Sequence, residues 1–481
     1  MAHVTSNSSA RPLRISVDAL AAVLPVSQEL GTRFADRGFE LALVGGSVRD
    51  AMLGRLGSDL DYTTNARPED VIELVTGWAD AIWDVGIKFG TVAARKGDFH
   101  IEITTYRAES YDEQSRKPEV SYGDSLAEDL VRRDFTINAM AVTLPEIDFV
   151  EMHGGVADLV AGVIRTPGTP EQSFSDDPLR MMRAARFASQ LDFEVDPVTI
   201  AAMAGMADRL QIVSVERVRD ELSKLLLGQA PRKGLQLLVD TGLIDYVLPE
   251  LPALVLEIDE HHRHKDVYQH SLTVLEQAID LETSHVPTSE PDLVLRLAAL
   301  MHDVGKPKTR RFEAGGGVSF HHHEVVGAKL TRKRLKALRY PNEIVDDVTL
   351  LVELHLRFHG YGNGNWTDSA VRRYVRDAGD QLNRLHKLTR ADSTTRNRRK
   401  AAALQATYDE LEQRIAILSE LEEMQAVRPD LDGNRIMELL GIGPGREVGQ
   451  AYEYLLERRL DRGPVSPEVA ETELLAWWAQ R

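Results

Sequence analysis

The chain has 481 residues, 43% hydrophobic and 27% charged, the balance of a soluble globular protein too long for one ordinary core, so two to four domains are expected. Its formal net charge of -18 argues against a diffuse polyanion-binding surface but leaves room for local basic stripes that meet nucleic acid. The absence of cysteine excludes disulfides and thiolate metal sites and leaves histidine and carboxylates as ligands.

The first residues, "MAHVTSNSSARPLRIS", lack an apolar signal-peptide core and read as the frayed N-terminus of a cytoplasmic protein. No stretch reaches the roughly 20 apolar residues of a membrane span, so no membrane partner is expected. From Glu40 the pattern is mixed: "ELALV" reads as a strand, "SVRDAML" as a short helix and "SDLDYTT" as a strand. "PEDVIELVTGWA" follows as a helix with proline in its first turn. "GTVAARKG" and "FHIEITTYR" are two more strands, separated by a turn at Lys96–Asp98. The polar, aperiodic "AESYDEQSRKPEVSYGDS" reads as a mobile loop. After about Asp176 helical patterns run almost to Arg481, interrupted by the loop "ETSHVPTSEPD" and, near the end, by "RPDLDGNRIMELLGIGPGREVG". The predicted fold is an α/β head followed by an elongated all-α body.

Strand alternation puts Asp59 and Asp61 on one face, about 7 Å apart, with Leu60 on the other. "HIEIT" behaves alike, with His100, Glu102 and Thr104 on one face. If the two strands are neighbours, Glu102 completes a three-carboxylate cluster suited to Mg²⁺, a hard ion that shares oxygen ligands with substrate phosphates. Gly45 and Gly46 let backbone approach a phosphate, the N–H groups of the helix from Ser47 point at it, and Arg49 can add a charge-assisted contact. The glycines form neither a Walker loop nor a dinucleotide fingerprint. Taken singly, a D-x-D is usually an exposed strand edge and Gly-Gly only a turn; the ordered combination is what points to a site.

The series "GGSVRD…SDLDYTT…IEITTYR…EDLVRRDFTINAMA…DDPLRMMRAARFA" resembles the class II tRNA nucleotidyltransferases, the CCA-adding enzymes, whose head is shared by bacterial poly(A) polymerases. The resemblance covers roughly residues 40–225. It implies a polymerase-β-like nucleotidyltransferase head in which Asp59 and Asp61 bind Mg²⁺ and an RNA 3′ hydroxyl attacks the α-phosphate of CTP or ATP. It also implies a supporting position for Glu102, phosphate contacts from Arg132 and Arg133, and a ribose framework at Asp134 and Asn138. Phe135, Ile137 and Met140 are expected in the core. The loop from about Ala108 to Gly123 corresponds to a flexible active-site element of the family.

Asp177 and Arg180, at i,i+3, are expected on one helix face. Cytosine and adenine both show an amino donor beside a ring-nitrogen acceptor, which a carboxylate and a guanidinium complement; uracil and guanine show the reverse. A mismatched base would leave both protein groups opposed, at a cost of several kcal/mol once desolvated. The commoner fate of such a pair is a surface ion pair; the family motif favours base reading. That motif has Glu-Asp where this chain has Asp176-Asp177. Arg183 and Arg186 continue at three-residue steps toward triphosphate or the RNA end. "SVERVRDELSKLLLG" reads as a scaffolding helix.

Histidines concentrate between His261 and His359. "KDVYQHSLTVLEQA", "LAALMHDVGKPKT", "FHHHEVVGAKL", "LVELHLRF" and "LTRADSTTR" are similar, in order, to an HD-superfamily phosphohydrolase. That resemblance implies His270, His302 with Asp303, and Asp392 as ligands of one metal, with His323 and His355 completing a second site. A one-residue slip exchanges His321 or His322 with His323. Such ligands suit Mn²⁺, Ni²⁺ or Fe²⁺, which activate bound water. HD domains joined to this family hydrolyse small phosphomonoesters and cyclic phosphodiesters.

Basic clusters at 306–311, 329–339 and 390–400 can meet tRNA phosphates, although each alone is more often a solvated helix face. The expected organisation is a helical segment 1–38, head 39–165, neck 166–255, HD domain 256–400 and helical tail 401–481. The leading expectation is CCA addition or repair at tRNA 3′ ends with CTP and ATP. The alternatives are a poly(A) polymerase, an enzyme adding only C or only A, and an HD metallohydrolase whose head merely binds nucleotide.

Overall fold

The computed structural model describes residues 20–83, 86–87, 90–110, 119–123, 125–255, 266–313, 318–361, 366–395, 397–422 and 429–480. These form two compact units, Met1–Pro249 and Glu250–Arg481.

The first unit opens with helix α1 (Leu24–Ala35), strand β1 (Leu41–Val44), α2 (Gly46–Met52), β2 (Asp59–Thr64) and α3 (Pro68–Val75). Strands β3 (Ala81–Trp83), β4 (Thr91–Lys96) and β5 (Phe99–Thr105) follow, then β6 (Arg107–Ser110) and β7 (Glu119–Tyr122). Helix α4 (Leu126–Val131) leads to β8 (Met140–Leu144) and β9 (Asp148–Glu151). Seven strands make one sheet in the order β3-β4-β5-β2-β1-β8-β9. Within this sheet, among the described residues, β2 and β5 run parallel and the other neighbouring pairs are antiparallel. One face of β2 and β5, with Leu60, Tyr62, Ile101 and Ile103 buried, belongs to the core. Helices α1 and α3 pack on the sheet, and the Tyr62 hydroxyl lies 2.7 Å from Ser27 Oγ of α1.

Two expectations change. The segment read as a mobile loop begins and ends in an antiparallel ribbon, β6 with β7, because "RAES" and "EVSY" pair main chain to main chain. Its centre, residues 111–118, lies outside the described residues, as do residues 1–19 of the expected N-terminal segment. Strands β3, β8 and β9 were not read from the sequence. Strand β8 carries the near-continuous apolar run of an element buried on both faces, which periodicity cannot separate from helix.

Helix α5 (Pro170–Asp176) and α6 (Leu179–Leu191) come next, with α7 (Val215–Leu226) and α8 (Pro231–Asp240) packed on α6. Small residues permit the approach. A Cβ on Gly234 would stand 2.6 Å from the Ala185 carbonyl, and one on Gly228 would stand 2.2 Å from Ser189 Oγ. Phe135, Ile137 and Met140 are buried, as expected for core residues.

The second unit is helical: α9 (Val267–Ser284), α10 (Leu293–Met301), α11 (His323–Ala337), α12 (Asn342–Leu354), α13 (Asp368–Ala378) and α14 (Leu382–Asp392). Helix α9 packs on α10 and α14, and α12 packs on α10 and α11. The long α15 (Arg398–Glu422) is followed by α16 (Gly433–Leu440), α17 (Arg446–Arg462) and α18 (Pro467–Trp478). The last three close a small core of their own from Leu431, Ile436, Ala451, Leu455, Ala470 and Leu474.

Phe135 meets the edge of the Phe187 ring at 5.8 Å between centroids, and neither ring has room to relax. Phe135→Ala should therefore destabilise the first unit by about 3–5 kcal/mol, read as a lower urea midpoint.

Candidate active site and candidate metal centre

The β1–α2 turn brings the head's chemistry together. Gly45 adopts φ 67°, ψ -132°, a conformation open to glycine. A Cβ there would stand 3.0 Å from Arg133 Nη1 and 3.8 Å from Asp61 Oδ2, so the turn lies directly against both. Ser47 locks α2 onto the sheet: its Oγ accepts from the Asp61 N–H at 2.9 Å and donates to the Asp59 carbonyl at 3.3 Å. Asp59 is in register with His100, and Asp61 with Glu102, across parallel β2 and β5. The three carboxylates of Asp59, Asp61 and Glu102 thus share one sheet face, as the alternation predicted. Loss of water raises the Asp61 pKa; Arg133 pulls it down and Asp59 adds to the rise. Desolvation also raises Glu102, with Asp61 and then Asp59 adding to it. An all-oxygen set whose members destabilise each other's charge fits a hard divalent cation.

The cleft over this face encloses about 340 Å³ and is lined by Asp61, Glu102, Arg132, Arg133, Asp176 and Arg180, among others. Thr104, placed on this face by the alternation, also lines it, as do Thr91 and Asp129, which were missed in the sequence. The i,i+4 spacing of Asp129 to Arg133 was the available signal, and Asp129 Oδ2 accepts from Arg133 Nη2 at 2.8 Å.

Asp177 does not sit on a helix beside Arg180, as expected from the spacing. It caps the end of α5 in an extended conformation, φ -147° and ψ 101°, and Pro178 separates it from α6. Its Oδ1 accepts from the Leu179 N–H at 3.0 Å and its Oδ2 from Arg217 Nη2 at 2.7 Å. Arg180 Nη1 donates to Ser173 Oγ at 2.8 Å, and its Nη2 donates to the Arg132 carbonyl. Asp176, the residue before, is the one that lines the cleft.

Behind the cleft runs a chain of charged groups. Arg49 Nη1 donates to Asn138 Oδ1 at 2.6 Å, and Asn138 Nδ2 donates to Asp134 Oδ1 at 2.9 Å. Arg183 Nε donates to Asp134 Oδ2 at 2.8 Å, and Arg183 Nη1 lies 3.8 Å from Glu221. Burial alone would raise Asp134, but Arg183 and the Asn138 amide outweigh it and hold the carboxyl well below its usual range. Arg186, expected near the phosphates, instead stands 2.8 Å from Glu221 and is only 8% exposed. Burial and the neighbouring Arg183 lower its pKa to about 10, so it stays charged at neutral pH. The guanidinium carbons of Arg49, Arg183 and Arg186 lie 5.0, 5.6 and 4.1 Å from the Phe187 ring centroid. Glu221 was missed in the sequence.

In the second unit, helix ends deliver the expected ligands to one place. His270 comes from α9, His302 and Asp303 follow α10, His323 opens α11, His355 follows α12 and Asp392 ends α14. Ligand atoms of His270, His302 and Asp392 converge within 4.8 Å, as do those of Asp303, His323 and His355. Asp303 belongs with His323 and His355 as well as near His302, where its Oδ2 is 3.2 Å from Nε2. It can therefore face both groups.

The ring orientations fit a metal. His302, His323 and His355 each place Nδ1 within 2.6–2.9 Å of the carbonyl three residues earlier, which can only accept. Their Nε2 atoms turn toward the carboxylates of the cluster, and that of His355 is buried without a hydrogen-bond partner. Burial, reinforced by His302, lowers the His355 pKa to about 3, leaving a neutral ring ready to ligate. Burial opposes charge on His302, but Asp303 and Asp392 outweigh it and raise its pKa to about 10, so a cation would replace that proton. His321 and His322 are exposed whereas His323 is buried, and of the three it is His323 that joins the cluster. A Cβ on Gly305 would stand 2.0 Å from the His323 carbonyl, so glycine is what lets this turn meet α11.

Three known families match in chain order: a poly A polymerase head domain at residues 41–165, a probable RNA and SrmB-binding site of polymerase A at 192–254, and an HD domain at 267–397. Among curated relatives, the CCA-adding enzyme of Levilactobacillus brevis is 41% identical over 52% of this chain and 63% of its own length. That of Lactobacillus helveticus is 44% identical over 48% and 56%. The matched stretch thus spans under two-thirds of either relative. The fold extends further: the crystal structure of the Bacillus stearothermophilus CCA-adding enzyme in complex with CTP covers 96% of this chain and 98% of that one. It has a TM-score of 0.65 at 25% identity. The head is followed by a helical body containing the HD domain, as expected. No helix among the described residues is long and apolar enough to cross a membrane.

The expected basic RNA contacts are partly committed elsewhere. Lys306 is 2.9 Å from Asp303, Arg332 pairs with Asp346, Arg334 with Glu250, and buried Arg390 with Asp409 and Glu412.

Two outcomes follow from these geometries. His323→Ala should lower bound transition metal measured by elemental analysis, while His322→Ala leaves it unchanged. For the head, the raised Asp61 and Glu102 values mean that the cation-free fold loses stability as pH rises from their ordinary 3.8 and 4.5 through the raised values. The thermal stabilisation given by Mg²⁺ should therefore grow with pH across that window; a pH-independent shift would argue against the cluster as its site.

Proposed function

We propose that this chain adds or repairs the 3′-terminal CCA of tRNA without a nucleic-acid template, using CTP and ATP and releasing pyrophosphate in the cytoplasm. The observation that carries this reading is the β2–β5 register: it sets Asp61 opposite Glu102 in the cleft that Arg180 also lines. The names of the matched relatives, and the CTP complex of the structural neighbour, support it.

Asp59 and Asp61, with Glu102 beside them, would hold Mg²⁺. Bound there, the cation would activate the RNA 3′ hydroxyl and offset charge on the leaving pyrophosphate. The 3′ oxygen bonds to the α-phosphorus as the bond to the β-phosphate bridging oxygen breaks. Arg133, against the Gly45–Gly46 turn, and Arg132 hold the triphosphate. Arg49, Asn138, Asp134 and Arg183 form the frame on which ribose and phosphate rest; Arg186 supports that frame from within. Asp177 accepts from the amino group of C or A, and Arg180 donates to the adjacent ring nitrogen.

The six-residue centre of the second unit favours an additional reading, a metal-dependent phosphohydrolase holding Mn²⁺, Ni²⁺ or Fe²⁺. In that organisation the head spans 39–165, the neck 166–255, the HD domain 256–400 and the tail 401–481.

tRNA transcripts ending before the first C and after CC, and an unrelated RNA, test the first reading when one labelled triphosphate is supplied at a time. Two C additions followed by one A are expected; long A tracts on the unrelated RNA would replace the reading with poly(A) synthesis. Asp61→Ala should abolish transfer and leave hydrolysis of small phosphoesters intact.

A further inference from the structure

The Asp177 carboxylate has an unexplained neighbour. Arg217, the fourth residue of the segment "SVERVRDEL" that opens α7, places Nη2 2.7 Å from Asp177 Oδ2. Nothing about base reading requires a second guanidinium there, because Arg180 already supplies the donor. The torsion that turns an aspartate's carboxylate about its last carbon–carbon bond is broad and soft. One hydrogen bond leaves that plane free to swing. Asp177 has two, one on each oxygen: the Leu179 N–H on Oδ1 and Arg217 on Oδ2. Two anchors on opposite oxygens fix the plane. Each oxygen keeps a second lone pair, so the anchored carboxylate can still accept from a base.

The residue that needs such an anchor stands where helical geometry gives none. Asp177 lies in the extended break between α5 and α6, flanked by Asp176 and Arg180, which both line the cleft. The same α7 holds Glu221 against Arg186 and Arg183, four residues after Arg217. One face of α7 therefore anchors a carboxylate with a cation at one turn and cations with a carboxylate at the next.

The geometry points to Arg217 as a positioning residue for nucleotide selection: it holds the Asp177 carboxylate in the plane that accepts the amino group of C and A and opposes the carbonyl of U and G. This rests on the assignment of Asp177 as the base-reading carboxylate. Arg217 touches no substrate in this role; it acts through Asp177.

Single-nucleotide kinetics on a tRNA transcript ending before the first C, with CTP and with UTP, test it in the full chain. Arg217→Ala should raise KM for CTP and cut the CTP:UTP ratio of kcat/KM roughly tenfold, the scale of one charge-assisted hydrogen bond, with kcat for CTP nearly kept. Arg217→Lys should restore much of the ratio, and Arg217→Gln, a shorter side chain with an N–H donor but no charge, should restore less. Thermal melting of all three separates lost selection from lost folding, and Arg217→Gln carries the test if the alanine variant does not fold. An unchanged ratio in folded Arg217→Ala or Arg217→Gln, with Asp177→Ala losing it, overturns the positioning role alone. A lower KM with the ratio intact also overturns it, since Arg217 would then be restraining Asp177 from substrate. A ratio unmoved by Asp177→Ala overturns the base-reading assignment and the inference with it.

Discussion

The head depends on a set of buried charges that satisfy one another around the Phe187 ring. Asp134 and Glu221 are nearly inaccessible, and each would be costly there without a partner. They are tolerated because Arg49, Arg183 and Arg186 alternate with them, with Asn138 as the neutral link. Phe187 gives the three guanidiniums an electron-rich face that needs no further hydrogen-bond acceptor. Removing Arg183 or Arg186 takes from Asp134 or Glu221 its nearest cation, so these buried charges depend on one another. Its ends reach the helix behind the glycine turn and the helix behind Asp177, which is how a sheet built for chemistry and helices suited to selection keep a common frame.

The candidate metal centre of the second unit uses a different constraint. His302, His323 and His355 spend their Nδ1 hydrogens on the carbonyl three residues earlier, which aims Nε2 inward. His302, His355 and Asp392 stand at helix C-termini, where the backbone presents partial negative charge and favours a cation. The buried Nε2 of His355, without a hydrogen-bond partner at such a place, fits a ligand atom.

Much of the first site was legible because strand alternation is rigid: once β2 and β5 are neighbours, Asp59, Asp61 and Glu102 must share a face. The core positions Phe135, Ile137 and Met140 were legible for the opposite reason, as apolar residues inside a polar motif. The i,i+3 spacing of Asp177 and Arg180 misled, because Pro178 starts a new helix and leaves Asp177 outside it. Arg186 looked available from its spacing in a basic series, yet Glu221, 35 residues later, claims it. Such pairings between distant segments leave no periodic trace. The triple histidine at 321–323 shows the same limit: three identical side chains differ only in which one the start of α11 turns inward.

By itself the sequence determined the chemical inventory: oxygen ligands on alternating strand positions, a glycine pair without side chains, and histidines in a fixed order without a cysteine among them. Those follow from residue type and local period, which short-range sterics enforce. Only the tertiary structure decided which charges are spent on the interior and which remain for a ligand. Arg186 and Arg390 went inward, Asp303 came to face two groups of ligands, and Asp177 gained Arg217. The physical reason is that a charge's role depends on its partner and its loss of water, and both are set by residues far away in the chain.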